Sequence, residues 1–268
     1  LPLAFAHQAS PFSKWHGTGN DFILVDDRQG QATHPGPSLA QRLCHRHFGI
    51  GSDGLILLQK PREEGTSYHM EFFNPDGSQS FCGNGSRCAY AFYSQLTGTM
   101  ESARFSAIDG VHQARWIEGE VEISMRDTSA GEALDATMEL LNTGSPHLVL
   151  WVEDPEKIDI IPEARIHRNS PRFKEKGVNV NFVNWSNGAL DMRTYERGVE
   201  NETLSCGTGV TAAALSAMAR GYGEEGCTVR TRGGILHITA KKKGNDFTDI
   251  WLRGPVAEVF RGEIEMKG

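Results

Sequence analysis

The chain repeats itself, and that repeat constrains its fold more than any other feature. Cys82-Gly83-Asn84-Gly85 opens the segment Ser86-Arg87-Cys88-Ala89-Tyr90-Ala91-Phe92, and Cys206-Gly207-Thr208-Gly209 opens Val210-Thr211-Ala212-Ala213-Ala214-Leu215. A second motif repeats with the first. His16-Gly17-Thr18-Gly19-Asn20-Asp21-Phe22-Ile23-Leu24-Val25 is echoed by Asn142-Thr143-Gly144-Ser145-Pro146-His147-Leu148-Val149-Leu150. Each copy has a Thr-Gly turn and then an apolar run suited to a buried strand. Gly19 to Gly144 is 125 positions (144 − 19), and Cys82 to Cys206 is 124 (206 − 82). Two unrelated motifs separated by nearly one distance imply a duplicated domain, whereas a single C-G-x-G would carry little weight.

The 268 residues therefore divide into halves of ordinary domain size. We expect halves at 11–128 and 129–255, with the junction in the Ser-, Gly-, Asp- and Thr-rich stretch 127–136. A closing strand within 256–268 can pack on either half and is grouped with the first. Hydrophobic runs predict strands at 22–25, 54–58, 69–73 and 121–125, then at 147–152, 178–185, 190–195, 228–231 and 235–240. Helices are expected at 38–47, 83–96 and 207–220, the last stopped by Gly221.

With 38% hydrophobic and 23% charged residues, the chain can build a packed core. A net charge of −7 and the lack of a basic stripe argue against a nucleic-acid partner; Lys241-Lys242-Lys243 reads as a solvated strand end. No apolar stretch nears the roughly 18 residues of a membrane span. The apolar opening Leu1-Pro2-Leu3-Ala4-Phe5-Ala6 reads as a tail rather than a leader. Five cysteines, an odd number with no C-x-x-C pair, do not form a disulfide framework or a zinc knuckle. Thiols kept free point to a cytoplasmic location. The glycine-rich turns lack nucleotide-binding spacing, so no cofactor and no metal are expected.

A cysteine just ahead of a helix sits where unpaired backbone N–H groups and the helix dipole favour negative charge, which lowers a thiol's pKa. Flanking glycines let the backbone come close to a ligand, and the same N–H groups bind carboxylates. Two such turns suit inversion at a stereocentre. A thiolate removes a proton from one face while the opposite thiol delivers one to the other, and converging N–H donors stabilise the carbanion. Cys88 and Cys227 lack this context, and Cys88 and Cys44 are expected in the core.

At these residues the sequence resembles the diaminopimelate epimerase family. The likeness runs over about residues 12–261. It rests on His16-Gly17-Thr18-Gly19-Asn20-Asp21-Phe22, Phe73-Asn74-Pro75-Asp76-Gly77-Ser78, the two Cys-Gly-x-Gly segments, Gly144-Ser145-Pro146-His147, Asn179-Val180-Asn181-Phe182 and Tyr195-Glu196-Arg197-Gly198. The resemblance implies an α/β (α+β) fold of two pseudo-symmetric domains, each a curved mixed sheet or barrel around a central helix, with the active site in the interdomain cleft. It implies interconversion of LL- and meso-diaminopimelate without pyridoxal phosphate or metal, and it leaves room for a homodimer. Cys82 and Cys206 would be acid and base. The α-carboxylate would rest on backbone N–H groups of Gly83, Asn84, Gly207 and Thr208. Asn20, Asn74, Asn179 and Arg197 would hold the distal end of the substrate, with Glu196 on the distal ammonium. Glu196 and His147 would also serve catalysis by tuning thiol protonation.

Two departures stand out. Ser145 replaces the asparagine of many members, which shortens a distal carboxylate contact or moves it to water. Nine residues, Arg197 to Ser205, separate Glu196 from Cys206 where eight are expected. Other readings stay open at this point. Asn74 can simply start a turn, His147 can be a satisfied core histidine, and Glu196-Arg197 an ordinary surface pair. A racemase of proline, hydroxyproline or histidine would keep both thiols without needing Arg197, and a thiol redox or binding protein would pair them reversibly. A metal-binding module is the most remote of the readings.

Overall fold

Aliphatic runs bounded by glycine turns become strands, and the two Cys-Gly-x-Gly segments become helix starts, in a computed structural model that describes residues 9–30, 36–224 and 226–265. The apolar opening at residues 1–6 and the last part of the closing segment, 266–268, lie outside the described residues. The chain forms two units.

The first unit, as far as described, comprises residues 9–17, 21–115 and 256–265. Its elements are β1 (Ala9–Gly17), β2 (Asn20–Asp26), α1 (Pro37–Cys44), β3 (Gly54–Gln59), β4 (Tyr68–Phe73), α2 (Gly83–Thr97), β5 (Ala103–Ala107) and β6 (Gly110–Ile117), with a closing strand at Ala257–Glu265. β2 and β3 run parallel, with Phe22 opposite Gly54; β3 and β4 run antiparallel, with Ile56 opposite Phe72. β4–β5 is again parallel, and the closing strand lies antiparallel to β1.

The second unit, as far as described, takes residues 18–20 and 116–255. It contains β7 (Glu120–Ser124), β8 (Thr128–Ser129), β9 (Glu132–Ala133), β10 (Met138–Asn142), β11 (Pro146–Trp151), α3 (Ile160–Arg168), β12 (Asn179–Ser186), β13 (Ala189–Glu196), β14 (Asn201–Thr203), α4 (Gly207–Ala219), β15 (Cys227–Thr231), β16 (Gly234–Lys243) and β17 (Asp246–Gly254); the closing strand is thus β18. The strand at β7, placed by the sequence in the first half, is counted with the second because it pairs antiparallel with β17.

The duplication extends to the strand register. His147 lies opposite Asn179 in parallel β11–β12, as Phe22 lies opposite Gly54, and both residues of the pair are shifted by 125 (147 − 22, 179 − 54). Asn181 lies opposite Thr194 in antiparallel β12–β13, as Ile56 lies opposite Phe72. In each unit one helix packs inside the curved sheet: α2 against β1, β3 and β4, and α4 against β11, β12, β13 and β15. A second helix covers the other face. Leu39, Ala40 and Leu43 of α1 pack with Ile23, Val25, Leu55 and Leu57, and Ile160 and Ala164 of α3 pack with Leu148, Leu150, Val180 and Phe182. Strands covered on both faces read as continuous apolar runs. Each aliphatic side chain so buried contributes about 1.5–3 kcal/mol.

α4 is buried from Gly207 to Met218. Its alanines and glycines let the sheet close tightly around it, and a helix apolar all round belongs in a core. α1 stops at Cys44 rather than reaching residue 47, because its terminal carbonyls find other donors. Ile50 and Gly51 donate their N–H to Leu43 O at 2.9 and 3.0 Å, and Ser52 to Cys44 O at 3.1 Å. α3, which the sequence reading did not anticipate, carries Pro162 in its first turn, where a missing N–H costs nothing. The described residues contain no helix long and apolar enough to cross a membrane.

Candidate active site

Cys82 is the N-cap of α2, with φ −131° and ψ 108°. Cys206 is the N-cap of α4, with φ −125° and ψ 111°. In both turns the cysteine carbonyl accepts the first intrahelical bond at 2.8 Å, from Ser86 N and from Val210 N. The following residues, Gly83-Asn84-Gly85 and Gly207-Thr208-Gly209, present helix N-terminal N–H groups, the ordinary backbone site for an anion. Gly85 N also donates to Cys82 Sγ at 3.4 Å, and Cys206 Sγ lies 3.5 Å from Thr208 Oγ1.

The five free cysteines differ in exposure, and Cys44 and Cys88 are buried as expected. Cys82 and Cys206 are partly exposed, and Cys44, Cys88 and Cys227 are buried. Burial raises the Cys44 thiol despite a hydrogen bond from Ser52, raises Cys88 strongly, and pushes Cys227 up to about 12. These three stay protonated at neutral pH and have no route to a substrate.

The two turns differ beneath the surface. Arg87 of α2 is fully buried and donates from Nη1 to Asn84 Oδ1 at 3.0 Å, which sets a positive charge one turn below Cys82. At the matching position of α4 stands Thr211, whose hydroxyl donates to Gly207 O at 2.9 Å. Arg87 carries no role in the motif reading; an arginine five residues into an otherwise buried helix is the signal that marks it.

His147 is fully buried. Burial, and then the charge of Arg197, lower its pKa to about 3, so the ring is neutral. It does not bond a thiol directly. Its Nε2 lies 2.9 Å from Thr208 Oγ1, and its Nδ1 lies 3.2 Å from Asn181 Nδ2. Asn181 belongs to the Asn179-Val180-Asn181-Phe182 motif, which by itself assigns it no role.

The residues proposed for the distal end fall in both units. In the second, Asn179 Nδ2 donates to Ser145 Oγ at 2.9 Å and to Pro146 O at 3.1 Å, while its Oδ1 accepts from Arg197 N at 3.0 Å. Ser145 is thus an acceptor for Asn179. Arg197 is exposed, and its Nη1 donates to Lys176 O at 2.8 Å. Glu196 Oε1 accepts from Thr203 Oγ1 at 2.6 Å, across the β13–β14 hairpin, which takes in residues 197–203 of the longer segment. Asn20 begins β2 and is partly exposed. In the first unit, the Asn74 amide donates to Ser78 O, Ser78 Oγ and Ser80 Oγ at 3.1–3.2 Å, the turn-forming arrangement that the sequence left open. Among the described residues no three His, Cys, Asp or Glu side chains are grouped as metal ligands would be.

The chain matches the family model described as diaminopimelate epimerase twice, over residues 12–130 and 140–258. It is 40% identical to a diaminopimelate epimerase of Flavobacterium psychrophilum, over 94% of this chain and 98% of the relative. It is 38% identical to that of Aquifex aeolicus, over 94% and 97%. Among solved structures, a hydroxyproline epimerase from Agrobacterium vitis aligns with a TM-score of 0.72 at 14% identity, covering 97% of this chain and 93% of the other. A phenazine biosynthesis protein of the PhzF family from Bacillus anthracis aligns at 0.67 and 13%, covering 96% and 99%. At such identities these two structures show a shared fold.

Proposed function

The chain belongs to the diaminopimelate epimerase family, and on that premise we propose that it interconverts LL- and meso-diaminopimelate, a step that supplies lysine and peptidoglycan precursors. The observation that carries this is the pair of partly exposed N-cap cysteines with matching backbone geometry. One thiolate takes the α-proton and the other thiol returns a proton to the opposite face. The α-carboxylate rests on N–H groups of Gly83, Asn84, Gly207 and Thr208. Each such donor contributes about 2–4 kcal/mol to the carbanion, by analogy with an oxyanion hole.

Arg197, Asn179, Asn20 and Asn74 hold the distal amino-acid end, and Glu196 takes its ammonium. The exposed guanidinium of Arg197 and the Asn179–Ser145 pair support this over a proline-type racemase, whose substrate has no second amino-acid end. Two thiols and two helix N-termini supply acid, base and anion stabilisation, so no step calls on a cofactor. Residence in the cytoplasm, supported by five free thiols, and assembly as a homodimer, to be measured by sedimentation, belong to the same proposal. Incubation with LL-diaminopimelate in D₂O is the test. Deuterium at the α-carbon together with formation of the meso isomer is expected; recovery of unlabelled LL substrate overturns the proposal.

A further inference from the structure

In the first unit the layer facing the central helix is apolar. Phe22, Ile56 and Phe72 are buried there, Ile56 reaches the site where a Cβ on Gly85 would lie, and the Phe22 and Phe72 rings meet edge to face at 6.1 Å. The register of the second unit puts His147, Asn181 and Thr194 at these three positions, all buried. A Cβ on Gly209, the counterpart of Gly85, would lie 2.8 Å from Asn181 Oδ1 and 3.2 Å from the His147 ring. Replacing an apolar layer by three polar side chains costs stability unless every group is hydrogen-bonded, so the bonds they make are informative.

The chain of bonds has one direction. Leu148 O can only accept, and it lies 3.3 Å from Asn181, which identifies the near atom as Nδ2. The Thr194 hydroxyl donates to Asn181 Oδ1 at 3.1 Å from the other side. Asn181 Nδ2 therefore also faces His147 Nδ1, at 3.2 Å, and Nδ1 must accept. In a neutral imidazole the proton is then on Nε2, which donates to Thr208 Oγ1 at 2.9 Å. Asn179 Nδ2 lies farther from Nε2, at 3.5 Å, and its hydrogens have nearer acceptors in Ser145 Oγ and Pro146 O. With its oxygen accepting from His147, Thr208 can turn its own hydrogen toward Cys206 Sγ, 3.5 Å away.

We propose that Thr194 and Asn181 are positioning residues that lock His147 in its Nε2–H tautomer, so that the Thr208 hydroxyl donates to Cys206 and favours its thiolate. The matching turn of the first unit has Asn84 in place of Thr208 and Phe22 in place of His147, so this bias acts on Cys206 and is not duplicated at Cys82. The two thiols of one reaction are thereby made unequal. Burial, and then the charge of Arg197, oppose protonation of His147, so the ring stays neutral and one nitrogen remains an acceptor; the bonds to Asn181 and Thr208 decide which.

The inference rests on the proposed two-thiol reaction for its meaning, but its test needs no substrate. Alkylation by iodoacetamide as a function of pH, read by peptide mapping, gives the thiol pKa of Cys82 and Cys206 in the same molecule. Thr208→Val keeps the shape and removes the hydroxyl; the Cys206 pKa should rise by about one to two units, as expected for a lost hydrogen bond to a charged group. Cys82 should not move, and Thr208→Ser should restore the wild-type value. Nitrogen-15 spectra of the unmutated protein should show His147 protonated on Nε2. An Nδ1–H tautomer, or an unchanged Cys206 pKa in folded Thr208→Val, overturns the proposal. Failure to turn over diaminopimelate would count against the function alone.

Discussion

Cys82 and Cys206 adopt the same backbone conformation at the entry of two buried helices, their φ differing by 6° (131 − 125) and their ψ by 3° (111 − 108). An N-cap in extended backbone ahead of a helix directs the side chain and the first free N–H groups to one side. Two matched caps thus give two similar combinations of thiol and anion site, which differ in that the Cys82 sulfur takes a cap bond from Gly85 N while the Cys206 sulfur lies beside the Thr208 hydroxyl.

Removing either thiol should stop the reaction. Cys82→Ala and Cys206→Ala are each expected to abolish epimerisation while the circular dichroism spectrum stays that of the folded protein. Cys88→Ala and Cys227→Ala should keep turnover, at a cost of about 1 kcal/mol in stability for lost core contacts. Steady-state epimerisation by folded Cys82→Ala or Cys206→Ala would contradict the two-base scheme.

Arg197 is expected to act on binding. Its side chain is exposed and holds only a backbone carbonyl among the bonds described above, so Arg197→Gln should leave the fold unchanged. Loss of a charge-assisted contact is worth about 1.5–3 kcal/mol, and KM for diaminopimelate should rise roughly 10- to 100-fold. An unaltered KM in a steady-state assay would remove Arg197 from the distal site.

Gly209 and Gly85 are repeats of one another but should respond differently to alanine. At Gly209 the new methyl meets Asn181 Oδ1 at 2.8 Å and the rigid His147 ring at 3.2 Å; overpacking of this kind costs about 1–3 kcal/mol. At Gly85 the tightest neighbour is the end of the Ile56 side chain, at 3.1 Å, which can rotate away. Chemical denaturation should therefore rank Gly209→Ala well below Gly85→Ala, and equal midpoints would contradict the packing described.

Buried neutral histidine leaves a mark on the pH dependence of stability. The pKa of His147 falls from 6.5 to about 3, and that of His69, likewise desolvated, to about 4. Below pH 6.5 the unfolded chain takes up protons that the folded chain refuses. Their stabilisation is complete above pH 6.5 and is lost as pH falls toward the folded values. Each contributes a slope of about 1.4 kcal/mol per pH unit in that window. His147→Gln should reduce the slope between pH 6.5 and 4.5 by about one proton, measured by urea unfolding at several pH values. An unchanged slope would mean that His147 titrates normally in the folded protein.

Much of the fold was legible because the duplication is written in spacing. A buried strand needs an apolar run and a helix needs a start, and both recur here at one offset. The strands of β2, β3, β11 and β12 and the helices α2 and α4 followed from that. β17 was harder to see, since Asp246–Gly254 shows one apolar and one polar face, and α3 was hidden by Pro162. The compact units divide at another place, between Arg115 and Trp116. A turn-rich stretch at 127–136 looks like a linker, but hydrogen bonding of β7 to β17, 127 or more residues apart in the register (Ser124 to Trp251, 251 − 124; Val121 to Gly254, 254 − 121), places that strand with the second unit.

The sequence by itself determined which two of five cysteines are special, because helix entry and flanking glycines are local features carried by four consecutive residues. It also determined that there are two copies of one domain. Only the tertiary structure decided that the copies are chemically unequal. Phe22 and His147 correspond already in the repeated Thr-Gly motif, but Ile56 with Asn181 and Phe72 with Thr194 lie on other strands outside both repeated motifs. Their equivalence, and the meeting of all three positions in one layer, come from the register of parallel and antiparallel ladders. The direction of the hydrogen bonds among them depends on a carbonyl, Leu148 O, that can accept but never donate.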